Sequence, residues 1–590
     1  MRTPYSVVGF FWSMGFATAQ AMTIQFPIVL NRASLPPVSN FTTVKDIAVG
    51  DLNGDLIPDI VVCGGENRVL LQSVSGYGST SFDGHGSFSD VTPVQPPLPG
   101  VQHWGLGGEA VEVGDIDNDG DRDVVLCLNN LGFMAVPMLN DGLGLLTAGA
   151  PFNGPAGGPT GWPLVFDLRL ADVDADGIVD CLLATDLGLL YFQGTGVFSG
   201  PTPVMFADVT TLRLPATAQA PCRGLDVYDE DGDGDLDIAV ATLDPLASIN
   251  ASSVRLFRNT VTGAGSNTFV DVSPSSVAAA GLSHGLDVIL GLQSGDLDQD
   301  GMPDLVVTNR PHPQAGVSPL GSNGGSFVLR RLPNGSYVRH GLGSHSYSAD
   351  FRIPLCLGDL DNDCDLDIVL STDNACVGCI YAGVTPLVAL PQRTAVLIND
   401  GFGTAPWFSH QSTVRMFDDT GHYHNATQMA DMDLDGDLDL LIGYSFLQQS
   451  SEQIRVVYNH MRDLDAPRSS TVGTPFVYEV SRLGSVTQVD DAVIVLLDLA
   501  AGPMVPLGAL LPRPPCYGSD NVIGLTAGFL IFSSAFISIP GGPTAVVGGA
   551  PFVFTPDPSL IGLNVFAQVL HFDYGGQGWV LGPITRTQVS

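Results

Sequence analysis

Lysine is almost missing from this sequence. One Lys, Lys45, stands beside 22 Arg, and Glu occurs six times against 55 Asp. The long straight-chain residues that stabilise exposed helix faces are therefore scarce, which argues against a helical bundle or a coiled coil. Basic surplus is missing too. With 61 acidic and 23 basic side chains the formal net charge is -38, the reverse of what neutralising phosphates requires, so nucleic acid is excluded as a partner. Only 14% of the chain is charged, yet hydrophobic residues reach 45%, too many for a disordered acidic tail. What is abundant is turn chemistry, with 70 Gly and 42 Pro. Short strands joined by many turns follow from that mixture, and metal cations are the natural partners of the concentrated acid.

The acid has an address. One nine-residue pattern occurs seven times: DLNGDLIPD from Asp51, DIDNDGDRD from Asp115, DVDADGIVD from Asp172, DEDGDGDLD from Asp229, DLDQDGMPD from Asp296, DLDNDCDLD from Asp359 and DMDLDGDLD from Asp431. These loops hold 32 acidic residues and a single Arg, Arg122, so most of the net charge belongs to them. Each loop is followed by a short apolar run (IVVC, VVLC, CLLA, IAVA, LVVT, IVLS, LLIG) that reads as a buried strand. A second strand ends in a polar turn, as at Leu71-Gln72, Leu139-Asn140, Phe257-Arg258-Asn259, Ile398-Asn399 and Tyr458-Asn459. A third signature is Phe88-Ser-Asp-Val-Thr92, repeated as Phe206 to Thr210 and Phe269 to Ser273. With the stretch leading into each loop, every unit of roughly 60 residues holds four strands, the content of a propeller blade. Seven units closing into a ring remove the edges an open array would expose. The seventh unit runs out of strands before Asp463, so Thr23 to Leu30 is expected to complete it and latch the ring.

Calcium takes six to eight hard oxygen ligands, and carboxylates at alternating positions of a tight loop converge on one ion. Side-chain oxygens are expected from positions one, three, five and nine of each loop, with the carbonyl of position seven and water completing the shell. The ligands are then Asp51, Asn53, Asp55 and Asp59; Asp115, Asp117, Asp119 and Asp123; Asp172, Asp174, Asp176 and Asp180; and Asp229, Asp231, Asp233 and Asp237. The last three loops supply Asp296, Asp298, Asp300 and Asp304; Asp359, Asp361, Asp363 and Asp367; and Asp431, Asp433, Asp435 and Asp439. Position six is Gly in five loops, as a left-handed backbone demands, and Leu56 or Cys364 in the other two. Those two sites are expected to be the weakest. Acidic turns without any cation are the alternative, but so many repelling acids, seven times over, would destabilise the fold. Up to seven Ca²⁺ sites are expected, with magnesium disfavoured by the number of protein oxygens.

The GDLNGD, GDIDND, GDLDQDG and GDLDND loops, with the apolar strand, the LIND or LFRN turn and the FxDVT element, resemble the FG-GAP or VCBS repeats of integrin-alpha-type propellers. The resemblance covers about Thr23 to Asn459. It implies an all-β fold, a seven-bladed β-propeller whose calcium loops join the first two strands of each blade on one face, with ligands taken on the opposite face. The FG and GAP dipeptides themselves are mostly degenerate here. The same repeats serve adhesins, binding proteins and enzymes, so the resemblance leaves function open.

On the face opposite the loops the sequence places His103, Trp104, Trp162, Arg223, His284, His345, Tyr347, His422 and His424. Such residues at a propeller mouth suit a sugar or peptide, and ordinary loop or core residues are the alternative. His422-x-His424 is also half of a transition-metal site, without an identifiable third ligand. A polysaccharide lyase or hydrolase on a calcium propeller would need a base beside a cation, and no compact motif supplies one, so no catalytic residue is named. Nine Cys is an odd number and excludes a complete disulfide framework. Cys63 and Cys127 fall on a small-residue strand position and Cys181 on the apolar position that is Ile60 or Val124 elsewhere, so all three read as buried small hydrophobes, whereas Cys364, Cys376 and Cys379 cluster in one blade.

Domain organisation follows. Arg2, the apolar run Val7 to Ala17 and the small residues at 17, 19 and 21 read as a secretory signal peptide over residues 1–21, with a membrane anchor as the alternative. Residues 22–465 form the propeller. Residues 466–590, where the acidic loops stop, read as a C-terminal β-sandwich of about 120 residues. Its apolar run from Gly524 to Ile539 is shorter than a membrane span and holds Ser533-Ser534, so no span is expected in the mature chain. The whole reads as an extracellular or cell-surface protein that binds a glycan or protein ligand or mediates adhesion.

Overall fold

A computed structural model describes residues 43–73, 87–92, 107–128, 134–155, 163–197, 204–244, 251–276 except 264, 287–311, 326–342, 355–360, 365–371, 394–399, 408–410, 424–432, 438–444 and 454–459, and beyond these mainly strands between 464 and 589. The fold is all β. Six antiparallel sheets run in simple strand order, each with four strands: Val44–Gly50 to Ser87–Asp90, Gly108–Gly114 to Thr147–Ala148, Val165–Ala171 to Phe206–Asp208, Cys222–Tyr228 to Val270–Asp271, Asp287–Gly295 to Tyr337–Gly341 and Leu355–Gly358 to Phe408–His410. A seventh sheet, His424–Ala430, Asp439–Tyr444 and Ile454–Val457, has three described strands. These are seven propeller blades. Thr23 to Leu30, expected to complete the last one, lies outside the described residues.

Ring closure is visible in the packing. Successive side chains of a strand face opposite sides, so each blade's second strand feeds two different cores. In blade one, Val61 and Cys63 pack with Val111, Val124 and Leu126 of blade two, while Ile60 and Val62 pack with Ala426, Leu441 and Val456 of blade seven. Every consecutive pair of blades shares such a core, and the seventh joins the last blade to the first. At that junction Gly443 approaches Val44 so closely that a Cβ would sit 2.5 Å from Cγ1. Cys63, Cys127 and Cys181 are fully buried in these cores, consistent with small packing residues.

The repeated FxDVT signature has a local cause. Asp90, Asp208 and Asp271 each accept the N–H two residues on, from Thr92, Thr210 and Ser273. The hydroxyls so positioned accept the third-strand N–H groups of Val69, Tyr191 and Leu256 at 2.9 to 3.0 Å. A side-chain turn thus continues the ladder where the short fourth strand stops.

Beyond the blades the strand Leu464–Asp465 pairs with Glu479–Arg482. A six-stranded sheet is built around Asn564–Asp573 and Asp491–Asp498, and Leu530–Ile537, within the apolar run, pairs with Asp491–Asp498. Among the described residues no helix is long and apolar enough to cross a membrane.

Candidate functional site

Each acidic loop joins the first and second strands of its blade, so all seven lie on one face of the ring. Their frame is set by position nine. Its Asp is buried at the start of the second strand, and both carboxylate oxygens accept backbone N–H groups. In loop one Asp59 takes Leu52 N–H at 2.8 Å and Gln72 N–H at 2.7 Å. Asp123, Asp180, Asp237, Asp304, Asp367 and Asp439 repeat both bonds, to position two of the loop and to the residue that ends the third strand. Position one closes the loop from the other side: Asp172 accepts from Asp176 and Gly177, and Asp296 from Asp300 and Gly301.

In loops one to five the backbone turns left-handed twice. Position six does so as expected, at Gly120, Gly177, Gly234 and Gly301, and Leu56 adopts φ 68° there, a strain of about 1 to 2 kcal/mol. Position four does so as well, at Gly54, Asn118, Ala175, Gly232 and Gln299, which the sequence reading missed because no common residue marks it.

Carboxylates converge as a result. In loops two, three and four the oxygens of positions one, three and nine lie within 4.8 Å of one another: Asp115, Asp117 and Asp123; Asp172, Asp174 and Asp180; Asp229, Asp231 and Asp237. In loop five the group is Asp296, Asp298 and Asp300. Position five of loops two to four (Asp119, Asp176, Asp233) stands outside these groups and accepts the position-seven N–H instead. Loop one has only Asp51, Asp55 and Asp59, with Asn53 at position three, and Asp51 already receives four backbone N–H groups. In loops six and seven, Asp361, Asp363, Cys364, Asp433 and Asp435 lie outside the described residues, whereas Asp359, Asp367, Asp431 and Asp439 lie within them.

Two observations show that the loops suit a cation. Buried oxygens of Asp115, Asp117, Asp174 and Asp231 (Oδ1 in each) have no hydrogen-bond partner, and Asp174 is fully buried. Burial, with repulsion between the acids, also holds Asp59, Asp123, Asp180, Asp237 and Asp304 at about 7 despite their N–H bonds. A hard divalent ion with oxygen ligands fits that donor set.

Neighbouring blades meet beside the loops. The residue ending the third strand reaches back to the carbonyl of position two in the preceding loop: Asn140 to Leu52, Asn259 to Val173, Asn399 to Leu297, Asn459 to Leu360, and Gln72 to Met432 across the ring junction, at 2.6 to 2.9 Å. Blade five differs. Arg331 replaces Asn, and position two of loop four is Glu230, so a buried cluster forms in which Glu230 accepts from Arg331 at 2.8 Å, Arg258 at 2.6 Å and the Tyr337 hydroxyl at 3.1 Å. Burial would raise the Glu230 carboxyl, but the two arginines hold it below its usual value.

A second acidic region lines the axis. The first strands of all seven blades enclose a cavity of about 360 Å³. Here the carboxylates stitch blade to blade: Asp46 accepts from Val111 N–H, Glu112 from Leu170, Asp167 from Leu225 and Asp226 from Ser294, at 2.5 to 3.2 Å. Arg169 pairs with Asp167 at 3.0 Å and Asp226 at 3.5 Å. Burial lowers the Arg169 guanidinium, and the surrounding Asp167, Glu112 and Asp226 more than reverse it. Burial pushes Glu112 up to about 8.

At the end of the axis opposite the loops, Arg223 stacks over the Phe166 ring at 4.6 Å, the one candidate ligand-face residue described in that position. His424 is not on an open face. It is 3% exposed, hydrogen-bonded to Thr394 of blade six at 2.7 Å and edge-on to Tyr444. It is a seam residue at the start of its blade's first strand, seven residues before the loop, where Val44, Val165, Cys222 and Ile289 are likewise buried in other blades. His103, Trp104, Trp162, His284, His345, Tyr347 and His422 lie outside the described residues.

Residues 229–307, from the start of loop four to the second strand of blade five, match the model of the FG-GAP-like repeat family. No curated protein matches the chain. Among solved structures the chain is similar to an Agrocybe aegerita lectin solved for its recognition of non-reducing terminal N-acetylglucosamine, at 16% identity over 62% of this chain and 80% of that one, with a TM-score of 0.36. It is also similar to the exotype rhamnogalacturonan lyase YesX, at 10% identity over 93% and 91% of the two chains, with a TM-score of 0.28. Scores this low carry no functional argument, and the architecture rests on the blades themselves. Seven blades, the same loop entering the second strand of each, and the family match across two of those loops identify the chain as an FG-GAP repeat β-propeller protein.

Proposed function

We propose that this chain is an exported, calcium-stabilised propeller that binds an extracellular glycan or protein ligand, as in adhesion. The observation that carries the metal half is the set of converging carboxylates with partnerless oxygens in loops two to four. Such groups, desolvated together, hold more negative charge than their surroundings neutralise, and Ca²⁺ would supply the balance through positions one, three and nine. The cation would act structurally, tying the loop to the start of the second strand. Export is supported by the N-terminal charge, apolar run and small residues, and it places the loops where calcium is plentiful. The binding half is supported by the Arg223–Phe166 stack at the axial mouth, a flat cationic surface suited to a sugar or a carboxylate.

Thermal unfolding with and without EDTA, run beside a screen of glycans and extracellular proteins, tests both halves. An unfolding midpoint indifferent to chelation overturns the metal assignment. Ligand binding that survives Arg223→Ala unchanged for every ligand found removes the axial mouth as the binding site.

A further inference from the structure

The loops share one frame but not one set of neighbours. The residue preceding the one whose N–H is bound by position nine is Leu71, Leu139, Gln193, Arg258, Arg330, Ile398 and Tyr458 in blades one to seven. In blades three, four and five this side chain reaches position three of its own loop. Gln193 Nε2 donates to Asp174 Oδ2 at 2.5 Å. Arg258 pairs with Asp231 Oδ2 at 2.9 Å while its other nitrogen holds Glu230. Arg330 donates to Asp298 and stands 4.0 Å from Asp300. In blade two the corresponding residue is Leu139, Asp117 Oδ1 has no partner, and position seven adds a fifth acid, Asp121.

We propose that Arg258 and Arg330 are tethered competitors for the cation, so that loops four and five form a weak calcium class and loop two a tight one. The inference rests on the calcium reading above. A guanidinium stays charged at every relevant pH, so it already neutralises position three, and a divalent ion must displace it or share the site with a like charge. In loop two the one Arg, Arg122, is exposed and pairs with none of these carboxylates among the described residues, so only an ion from solution relieves their repulsion. The seam between blades four and five is meanwhile held by the Glu230, Arg258, Arg331 and Tyr337 cluster, which needs no metal. Low calcium would therefore fill loop two first, and loops four and five would respond only at higher concentration.

Calorimetric titration of the full chain with calcium tests this. The wild type is expected to show two affinity classes, and Arg330→Met to move one site from the weak class into the tight one, with an affinity gain of about tenfold. The reciprocal Leu139→Arg places a guanidinium at the same position of blade two and is expected to remove one tight site. Calcium binding whose tight-site count is the same in wild type, Arg330→Met and Leu139→Arg overturns the proposal and leaves the calcium reading standing. Absence of any calcium binding by the folded wild type overturns both. Should Arg330→Met not fold, Leu139→Arg decides alone: loss of a tight site supports the competitor role, and retention overturns it.

Discussion

The loop face and the axial channel are both built from carboxylates, and they treat them in opposite ways. In the loops, acids alternate along a tight turn, and oxygens of Asp115, Asp117, Asp174 and Asp231 are left without partners. In the channel, Asp46, Glu112, Asp167 and Asp226 sit on strands, each takes an N–H from the next blade, and Arg169 supplies charge from within. Acid on a strand can borrow a donor from the neighbouring strand, because inner strands of adjacent blades run side by side. Acid in a turn surrounds itself with more acid and, except where Arg258 and Arg330 reach loops four and five, must obtain its positive charge from solution. Stability of the channel should thus be indifferent to metal, and stability of the loop face should depend on it.

Chelation is the largest test of that contrast. Each site at a hundredfold excess of calcium over its Kd contributes about 2.7 kcal/mol, so emptying several should lower the unfolding midpoint by more than about 10 °C in a melting experiment with EDTA. Asp180→Ala blurs the boundary between the regions, since position nine is both a loop acid and a backbone acceptor. Stranding the N–H groups of Val173 and Gly194 is expected to cost about 2 to 4 kcal/mol in denaturant unfolding even without calcium, with a further loss when calcium is present. Asp167→Ala, in the channel, removes the acceptor of Leu225 N–H and a partner of Arg169. A loss of about 1 to 3 kcal/mol is expected, equal with and without EDTA; a loss that depends on calcium would end the distinction.

The smallest effect is a pH slope. Glu112 rises from its ordinary 4.5 to about 8 in the folded protein because burial disfavours its charge. The folded state therefore keeps a proton that the unfolded state releases. This contribution is complete below pH 4.5 and is lost as pH rises to about 8. Asp46, Asp167, Arg169 and Asp226 face the same cavity and set the background against which it acts. Glu112→Gln, which still offers an oxygen to Leu170 N–H, should gain on the wild type as pH increases across that window. Parallel stability curves from pH 4 to pH 9 would show that Glu112 does not hold the proton.

Much of the fold was legible because it repeats. The loops, the apolar strand after each, the four strands per blade and the small-residue sites at Cys63 and Cys127 follow from pattern, since a strand buried on both faces must be apolar throughout. Asn140, Asn259, Asn399 and Asn459 were visible as turn residues, but their bonds to the preceding blade were not. Their acceptors lie about 90 to 100 residues away in the chain, at a backbone carbonyl that leaves no mark on residue identity. Arg331 and Glu230 could have been found together, as the blade where Asn becomes Arg follows the loop where position two becomes acidic. His424 was misplaced for a related reason. It stands seven residues before its loop, where Val44, Val165, Cys222 and Ile289 are buried in other blades, so repeat register rather than residue type marked it as a packing position.

Local chemistry was thus the sequence's own contribution. Alternating Asp, Gly at the left-handed position and the following apolar run define the loop and its strand through contacts a few residues long. Which carboxylates remain without partners was decided by tertiary structure alone. The donors that satisfy an acid, whether a neighbouring blade's N–H, Arg169 across the axis or Arg330 from the same blade's third strand, reach it only after the sheets have formed and the ring has closed.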